Sequence, residues 1–153
     1  MEKIVVLVVD MQARFLREIS KKDIRKILKA NIQVIEELCI KKEFPLVTLE
    51  FAGCGDTART LERRIEKVPK HRRKLFLKTK WDGFENEDFA EYIDQIGAKT
   101  LIIMGLYADR CVKATAESAV RLEYKIITAG SLIIGTIFDN GKSAKWYKKN
   151  GDR

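Results

Sequence analysis

Near the start of the chain stand six consecutive apolar residues, Ile4-Val5-Val6-Leu7-Val8-Val9. A strand with one wet face alternates apolar and polar side chains, so an unbroken run needs apolar cover on both faces. That is the situation of a central strand in a parallel sheet. The rest of the chain supplies the cover in alternation. Ile24, Ile27, Leu28, Asn31, Val34, Ile35 and Leu38 recur at helical spacing. Pro45 opens a second strand at Leu46–Phe51, and Gly53 and Gly55 mark a loop. Leu61, Ile65 and Val68 suggest a short helix ending near Pro69. A third strand is expected over 74–79, then a helix through Phe89, Ile93 and Ile96 that stops at Gly97. A fourth strand, 99–104, ends at Gly105. A helix follows through Val112, Thr115, Ala116, Ala119, Val120 and Leu122, then a fifth strand over 124–128. Beyond Gly130 the pattern weakens, with a basic helical tail expected over 143–149. The alternation predicts a three-layer α/β fold: a mostly parallel sheet of five or six strands with helices on both faces, as one domain over residues 1–153.

The net charge is +8, from 30 basic and 22 acidic residues. The basic residues are interleaved with acidic ones, as in Lys21-Lys22-Asp23 and Glu62-Arg63-Arg64-Ile65-Glu66-Lys67, which reads as solvated helix faces. No aromatic–basic module accompanies them, so nucleic-acid binding is not expected as the main function. The apolar runs are too short to span a membrane, and the N-terminus lacks a signal-peptide pattern. A cytoplasmic protein is therefore expected. Cys39, Cys54 and Cys111 form no CxxC pair, which argues against a disulfide framework, a zinc ribbon or a thioredoxin-type site.

In a parallel sheet, ligands bind beyond the carboxyl ends of the strands. Asp10, Glu50, Phe51, the segment 78–84 and the segment 106–111 occupy those ends. Taken singly, each has an ordinary structural reading. Asp10 suits a turn or a helix cap, Lys78 a strand end reaching solvent, and Cys111 an inert core thiol. Cys111, however, falls in the first turn of a predicted helix, where unpaired N–H groups and the helix dipole favour a thiolate. Cys39, at the end of an amphipathic helix, and Cys54, in a glycine loop, have no such setting.

Three segments then form a pattern. Val8-Val9-Asp10-Met11-Gln12-Ala13-Arg14-Phe15 resembles the opening of the isochorismatase-like cysteine hydrolase superfamily, an apolar strand followed by Asp-x-Gln and then Phe. Lys78-Thr79-Lys80-Trp81-Asp82-Gly83-Phe84 resembles that family's Lys-x-x-x-Ser-Ala-Phe segment. Gly105-Leu106-Tyr107-Ala108-Asp109-Arg110-Cys111-Val112, with Thr115 and Ala116 beyond it, is similar to its nucleophile motif. The resemblance runs from about residue 4 to about residue 128, with the segments in the family's order.

The resemblance implies a cysteine hydrolase cleaving a small amide or related C–N bond through a covalent intermediate on Cys111. Asp10 would be the general base, and Lys78 would hold the aspartate and favour the thiolate. A cis peptide between Leu106 and Tyr107 would aim the backbone N–H groups of Tyr107 and Cys111 at a developing oxyanion. Phe15, Glu50, Phe51, Trp81, Asp82, Phe84 and Tyr107 are the candidate substrate contacts. Homo-oligomerisation is expected too, with Trp146 and Tyr147 as apolar groups for a neighbour. The alternatives are a catalytically silent member that binds a small molecule or partner, and an isochorismatase-type hydrolase, for which a thiol nucleophile has no evident use.

The sequence departs from the family in reading Asp82-Gly83-Phe84 for Ser-Ala-Phe and in lacking an Asp after the fifth strand. A carboxylate at residue 82, with Glu50, would favour neutral or cationic substrates. Nicotinamidases of the superfamily bind a metal through an Asp and histidines after the second strand. The single histidine here, His71, lies in the run Lys70-His71-Arg72-Arg73, so neither a metal nor another cofactor is expected.

Overall fold

The computed structural model describes residues 3–151. Its sheet has the strand order β3-β2-β1-β4-β5, with β6 also pairing with β4, and every strand pair is parallel. β1 (Lys3–Val9) lies at the centre, between β2 (Leu46–Phe51) and β4 (Ala98–Leu106). Val5 to Val9 are all completely buried, as an unbroken apolar run in a doubly covered strand requires. β3 (Arg73–Lys78) and β5 (Lys125–Ile127) are the outer strands, and β6 is the short segment Ile133–Ile134.

The helices are α1 (Ala13–Leu16), α2 (Lys21–Val34), α3 (Arg59–Ile65), α4 (Glu87–Gln95), α5 (Cys111–Arg121) and α6 (Lys142–Asn150). Ser20 caps α2 by accepting from the Asp23 N–H at 3.2 Å, and Asn86 caps α4 by accepting from the Phe89 N–H at 3.0 Å. The apolar stripe predicted as one helix continues past α2 as a turn of π-helix, Ile35–Lys41, which keeps Ile35 and Cys39 in the core.

Two departures from the expected elements bear on the site. First, β4 does not end at Gly105 but runs through it to Leu106. Gly105 has φ +128° and pairs with Val9, and a Cβ there would stand 2.0 Å from the Val9 carbonyl oxygen. Only glycine lets the ends of β1 and β4 lie this close. Second, β6 lies alongside the end of β4, with Gly105 N–H donating to Leu132 O at 2.9 Å and Ala108 N–H to Ile134 O at 2.8 Å. The C-terminal segment thus borders the same sheet edge as the three motifs.

Candidate active site

Asp10 is the first residue after β1. Its N–H donates to the Leu49 carbonyl at 3.0 Å, and its φ of +51° lies in the left-handed region that Asp tolerates better than most residues. Lys78 is the last residue of β3 and must cross the end of β2 to reach it. It does so over Phe51, its Nζ 4.5 Å from that ring's centroid. Nζ then donates to Asp10 Oδ2 at 3.0 Å and to the Lys80 carbonyl at 3.1 Å. The two side chains are 1% and 2% exposed, so the pair is fully withdrawn from water.

Cys111, the first residue of α5, is 7% exposed. Its thiol lies close enough to Asp10 and Lys78 for both of them to shift its proton affinity. The second Asp10 oxygen, Oδ1, is buried with no partner of regular hydrogen-bond geometry, an acceptor left over beside the thiol. The structure therefore brings Asp10, Lys78 and Cys111 together at the carboxyl edge of the sheet.

The electrostatics differ from the sequence expectation of an acidified thiol. Burial raises the Asp10 carboxyl above its ordinary range, outweighing the Lys78 ammonium that draws it down. Burial first, and then the Asp10 charge, push the Cys111 thiol up to about 12; Lys78 offsets only part of this. Cys111 thus carries a protonated thiol next to an acceptor made more basic by the same burial.

The peptide bond between Leu106 and Tyr107 is cis. The N–H groups of Arg110 (2.9 Å) and Val112 (3.2 Å) both return to the Tyr107 carbonyl, which tightens the turn before Cys111. The Tyr107 hydroxyl donates to Phe15 O at 2.8 Å and to Glu18 Oε2 at 3.1 Å. The Phe15 ring meets Phe51 and Tyr107 edge-on, with centroids 6.5 and 6.2 Å away. Phe15, Phe51 and Tyr107 therefore form one aromatic wall beside the cluster. Trp81 is 49% exposed, and the Arg110 guanidinium lies 5.0 Å from its ring centroid.

Three expected substrate contacts are engaged elsewhere. Glu50 is buried, and its Oε2 accepts from the Thr57 N–H (2.8 Å) and hydroxyl (2.7 Å), closing the loop after β2. Asp82 Oδ1 accepts from the Phe84 N–H at 2.8 Å, and Oδ2 from the Ser118 hydroxyl of α5. The Phe84 ring packs 4.9 Å from buried Phe89 and 5.8 Å from Tyr124, as part of the core. The carboxylates at 50 and 82 are thus held by protein donors and do not stand as free substrate contacts, although the Glu50 charge still acts on Asp10.

Gln12 was part of the first motif but had been given no role. Its amide donates to Phe51 O (3.0 Å) and Gly55 O (2.6 Å) and accepts from the Phe51 N–H (2.8 Å), which locks the wall residue Phe51. Asp109 accepts from the Thr136 N–H at 2.8 Å and from its hydroxyl, tying the turn before Cys111 to the segment after β6.

A metal of the nicotinamidase kind does not suit these residues. The loop after β2 is closed by the Gln12 amide, and His71 sits in the short turn Lys70–Arg72. Among the described residues, no group of three His, Cys, Asp or Glu is placed to hold a metal ion. A cleft of about 540 Å³ between β2, β3 and α3 is lined by Thr48, Glu50, Glu62 and Arg73 among others, and none of Asp10, Lys78 or Cys111 borders it.

The isochorismatase domain model matches residues 5–134, a span that contains the whole cluster. The chain belongs to the isochorismatase domain family, a family of hydrolases. No curated protein matches it significantly in sequence. Solved structures are similar in fold at low identity. A nicotinamidase from Staphylococcus aureus is 20% identical, with 99% of this chain and 97% of that one covered and a TM-score of 0.83. An N-carbamoylsarcosine amidase from Thermoplasma acidophilum is also 20% identical, with 96% and 91% covered and a TM-score of 0.81. An octameric hydrolase of unknown specificity from Escherichia coli is 21% identical, with 100% and 76% covered and a TM-score of 0.75.

Proposed function

We propose that this family member is a cysteine hydrolase that cleaves a small amide or related C–N bond. The observation that carries the reading is the buried Asp10–Lys78 pair, 3.0 Å apart, beside the Cys111 thiol. A carboxylate and an ammonium withdrawn from water are costly to keep, and a fold gains little stability from them over an apolar pair. A reaction gives them a purpose.

Cys111 adds to the carbonyl carbon as its proton passes to Asp10, and the oxyanion is received by the backbone N–H groups of Tyr107 and Cys111. Asp10 returns the proton to the leaving amine as the C–N bond breaks, which leaves a thioester. Water, losing a proton to Asp10, then releases the acid and restores the thiol. Lys78 holds the carboxylate in position and balances its charge while Asp10 is ionised. The nicotinamidase and the N-carbamoylsarcosine amidase of similar fold act on C–N bonds of small molecules, which agrees with this substrate class.

The test is ammonia release from a panel of small primary amides and carbamoyl compounds. Turnover by the wild type that falls at least about a thousandfold in Cys111→Ala and in Asp10→Asn supports the reading. Turnover that survives Cys111→Ala ends it.

The thiol pushed up to about 12 favours a second reading, a silent member that binds a small molecule. Under that reading no amide of the panel is hydrolysed, while ligand binding still raises the melting temperature.

We also propose a homo-oligomer, the octameric relative being one precedent. Tyr147 is 1% exposed within its own chain and so is not available to a neighbour; Ile137 and Phe138, 86% and 70% exposed, replace it as candidate contacts. Light scattering that finds only monomer at micromolar concentration would refute this. A cytoplasmic location belongs to the same proposal, and among the described residues no helix is long and apolar enough to cross a membrane.

A further inference from the structure

We propose that Arg110 determines specificity at this site by selecting small substrates that carry a carboxylate near the scissile C–N bond. The inference rests on the hydrolase reading for the identity of that bond, and on separate observations for the carboxylate.

Arg110 immediately precedes Cys111 and forms the N-terminal boundary of α5. Its guanidinium lies against the face of Trp81, 5.0 Å from the ring centroid. Trp81 stands in the loop that Lys78 holds by donating to the Lys80 carbonyl. The stacked pair therefore joins the loop that follows Lys78 to the turn that carries Cys111. A guanidinium held over an indole by a cation–π contact loses side-chain freedom while its terminal N–H donors stay available to a carboxylate.

The acidic groups nearby do not use those donors. Asp109 Oδ2 forms a loose ion pair with Arg110 Nε at 3.9 Å, which leaves the two terminal nitrogens of the guanidinium unused, and the Asp109 carboxylate also accepts from Thr136 N–H and hydroxyl. Asp82 is held by Phe84 N–H and the Ser118 hydroxyl, and Glu18 accepts from the Tyr107 hydroxyl. The Arg110 side chain is 36% exposed, open enough to meet a ligand yet partly shielded from the screening that weakens fully exposed cations. Arg110 is thus a cation adjacent in sequence to Cys111, and among the described residues no hydrogen bond takes up its terminal N–H groups.

The test uses a pair of reagents that differ in charge and need no turnover. Iodoacetate and iodoacetamide alkylate the same sulfur, and Cys54, in the loop after β2, serves as the control thiol in the same molecule. The ratio of iodoacetate to iodoacetamide labelling, read by peptide mapping, is expected to be about tenfold higher at Cys111 than at Cys54. It should fall to the Cys54 value in Arg110→Gln and keep part of its excess in Arg110→Lys.

A second measurement requires no variant. Succinamate, a primary amide bearing a carboxylate, should slow iodoacetamide labelling of Cys111 in the wild type at concentrations where butyramide does not. Equal ratios at Cys111 and Cys54, a ratio at Cys111 that Arg110→Gln leaves in place, equal protection by the two amides, or no labelling of Cys111 by either reagent would each overturn the assignment. An anion preference at Cys111 that persists while no amide is hydrolysed would instead overturn the hydrolase reading and leave the role of Arg110 standing.

Discussion

Two regions built from the same pair of strands use charge in opposite ways. In β2 and β3, Phe51 pairs with Lys78 and Glu50 with Leu77. Because side chains alternate across a strand, one residue of register separates two environments. On one side Lys78 joins Asp10 and Cys111 in a buried cluster bordered by the partly buried Phe51. On the other side Glu50, bound to Thr57, lies at the floor of the cleft shared with Glu62, Arg59 and Arg73, where Leu75 is 54% exposed. The cleft holds more charges, yet water and salt screen them. The cluster holds few, and each acts on the others through little solvent. Burial rather than charge density marks the chemistry here, and several changes can break or sharpen that contrast.

The largest effect is expected at Lys78. Lys78→Ala leaves the Asp10 carboxylate buried without its partner and should cost about 3–5 kcal/mol in urea unfolding at neutral pH. Lys70→Ala in the cleft should stay within about 0.5 kcal/mol. Equal costs at the two positions would dissolve the distinction.

Gly105→Ala comes next. Its Cβ would meet the Val9 carbonyl oxygen at 2.0 Å, at a φ that disfavours side chains, so a loss of about 3 kcal/mol is expected. Gly53→Ala has the φ strain but no atom within 4 Å, and should cost about 1 kcal/mol.

The buried thiols give a smaller, pH-dependent signature. Cys39 and Cys111 are both pushed up to about 12 from an ordinary 9.0, chiefly by burial. Their folded forms keep a proton that the unfolded chain has lost, so each contributes a loss of stability as pH rises from about 9 toward 12 and none below it. The slope is up to about 1.4 kcal/mol per pH unit per thiol. Chemical unfolding of Cys39→Ala and Cys111→Ala against pH should show a shallower decline than the wild type.

The smallest effect belongs to the exposed pair of Arg64 and Glu36, 2.7 Å apart. Arg64→Ala should change stability by about 0.2–1 kcal/mol and less in high salt.

How legible this was in advance follows the physics of each residue. The run at Ile4–Val9 and the stripes of α2 and α5 were readable because local spacing and global burial ask for the same residues. The π-helical turn after α2 leaves no mark in a stripe of this kind. Ile133–Ile134 is too short to read as a strand, and only the ladder with Gly105 and Leu106 makes it one. Asp10, Lys78 and Cys111 could be singled out because strand ends are where a parallel sheet gathers side chains and because the three motifs pointed to the same residues. Glu50 was misplaced because its own bond to Thr57, not the direction of its strand, decides where its carboxylate is used. Asp82 carried a usable sign: an Asp two residues before a turn N–H forms its own hydrogen-bonded turn. The acidified thiol expected at a helix start is opposed by desolvation and by the Asp10 charge, which together outweigh the lysine.

The far end of the chain has a share in all of this. Tyr147, in α6, is buried and donates its hydroxyl to the Ala108 carbonyl at 2.6 Å, three residues before Cys111. Asp139 secures that helix by accepting from the Ser143 N–H at 2.8 Å. A protein cut after Ile134 would keep the entire span the family model matches, with all three residues of the cluster, yet would strip the roof from the turn that aims Cys111. Trimming, tagging or immobilising the molecule by its last helix is therefore an intervention on the turn that carries Cys111.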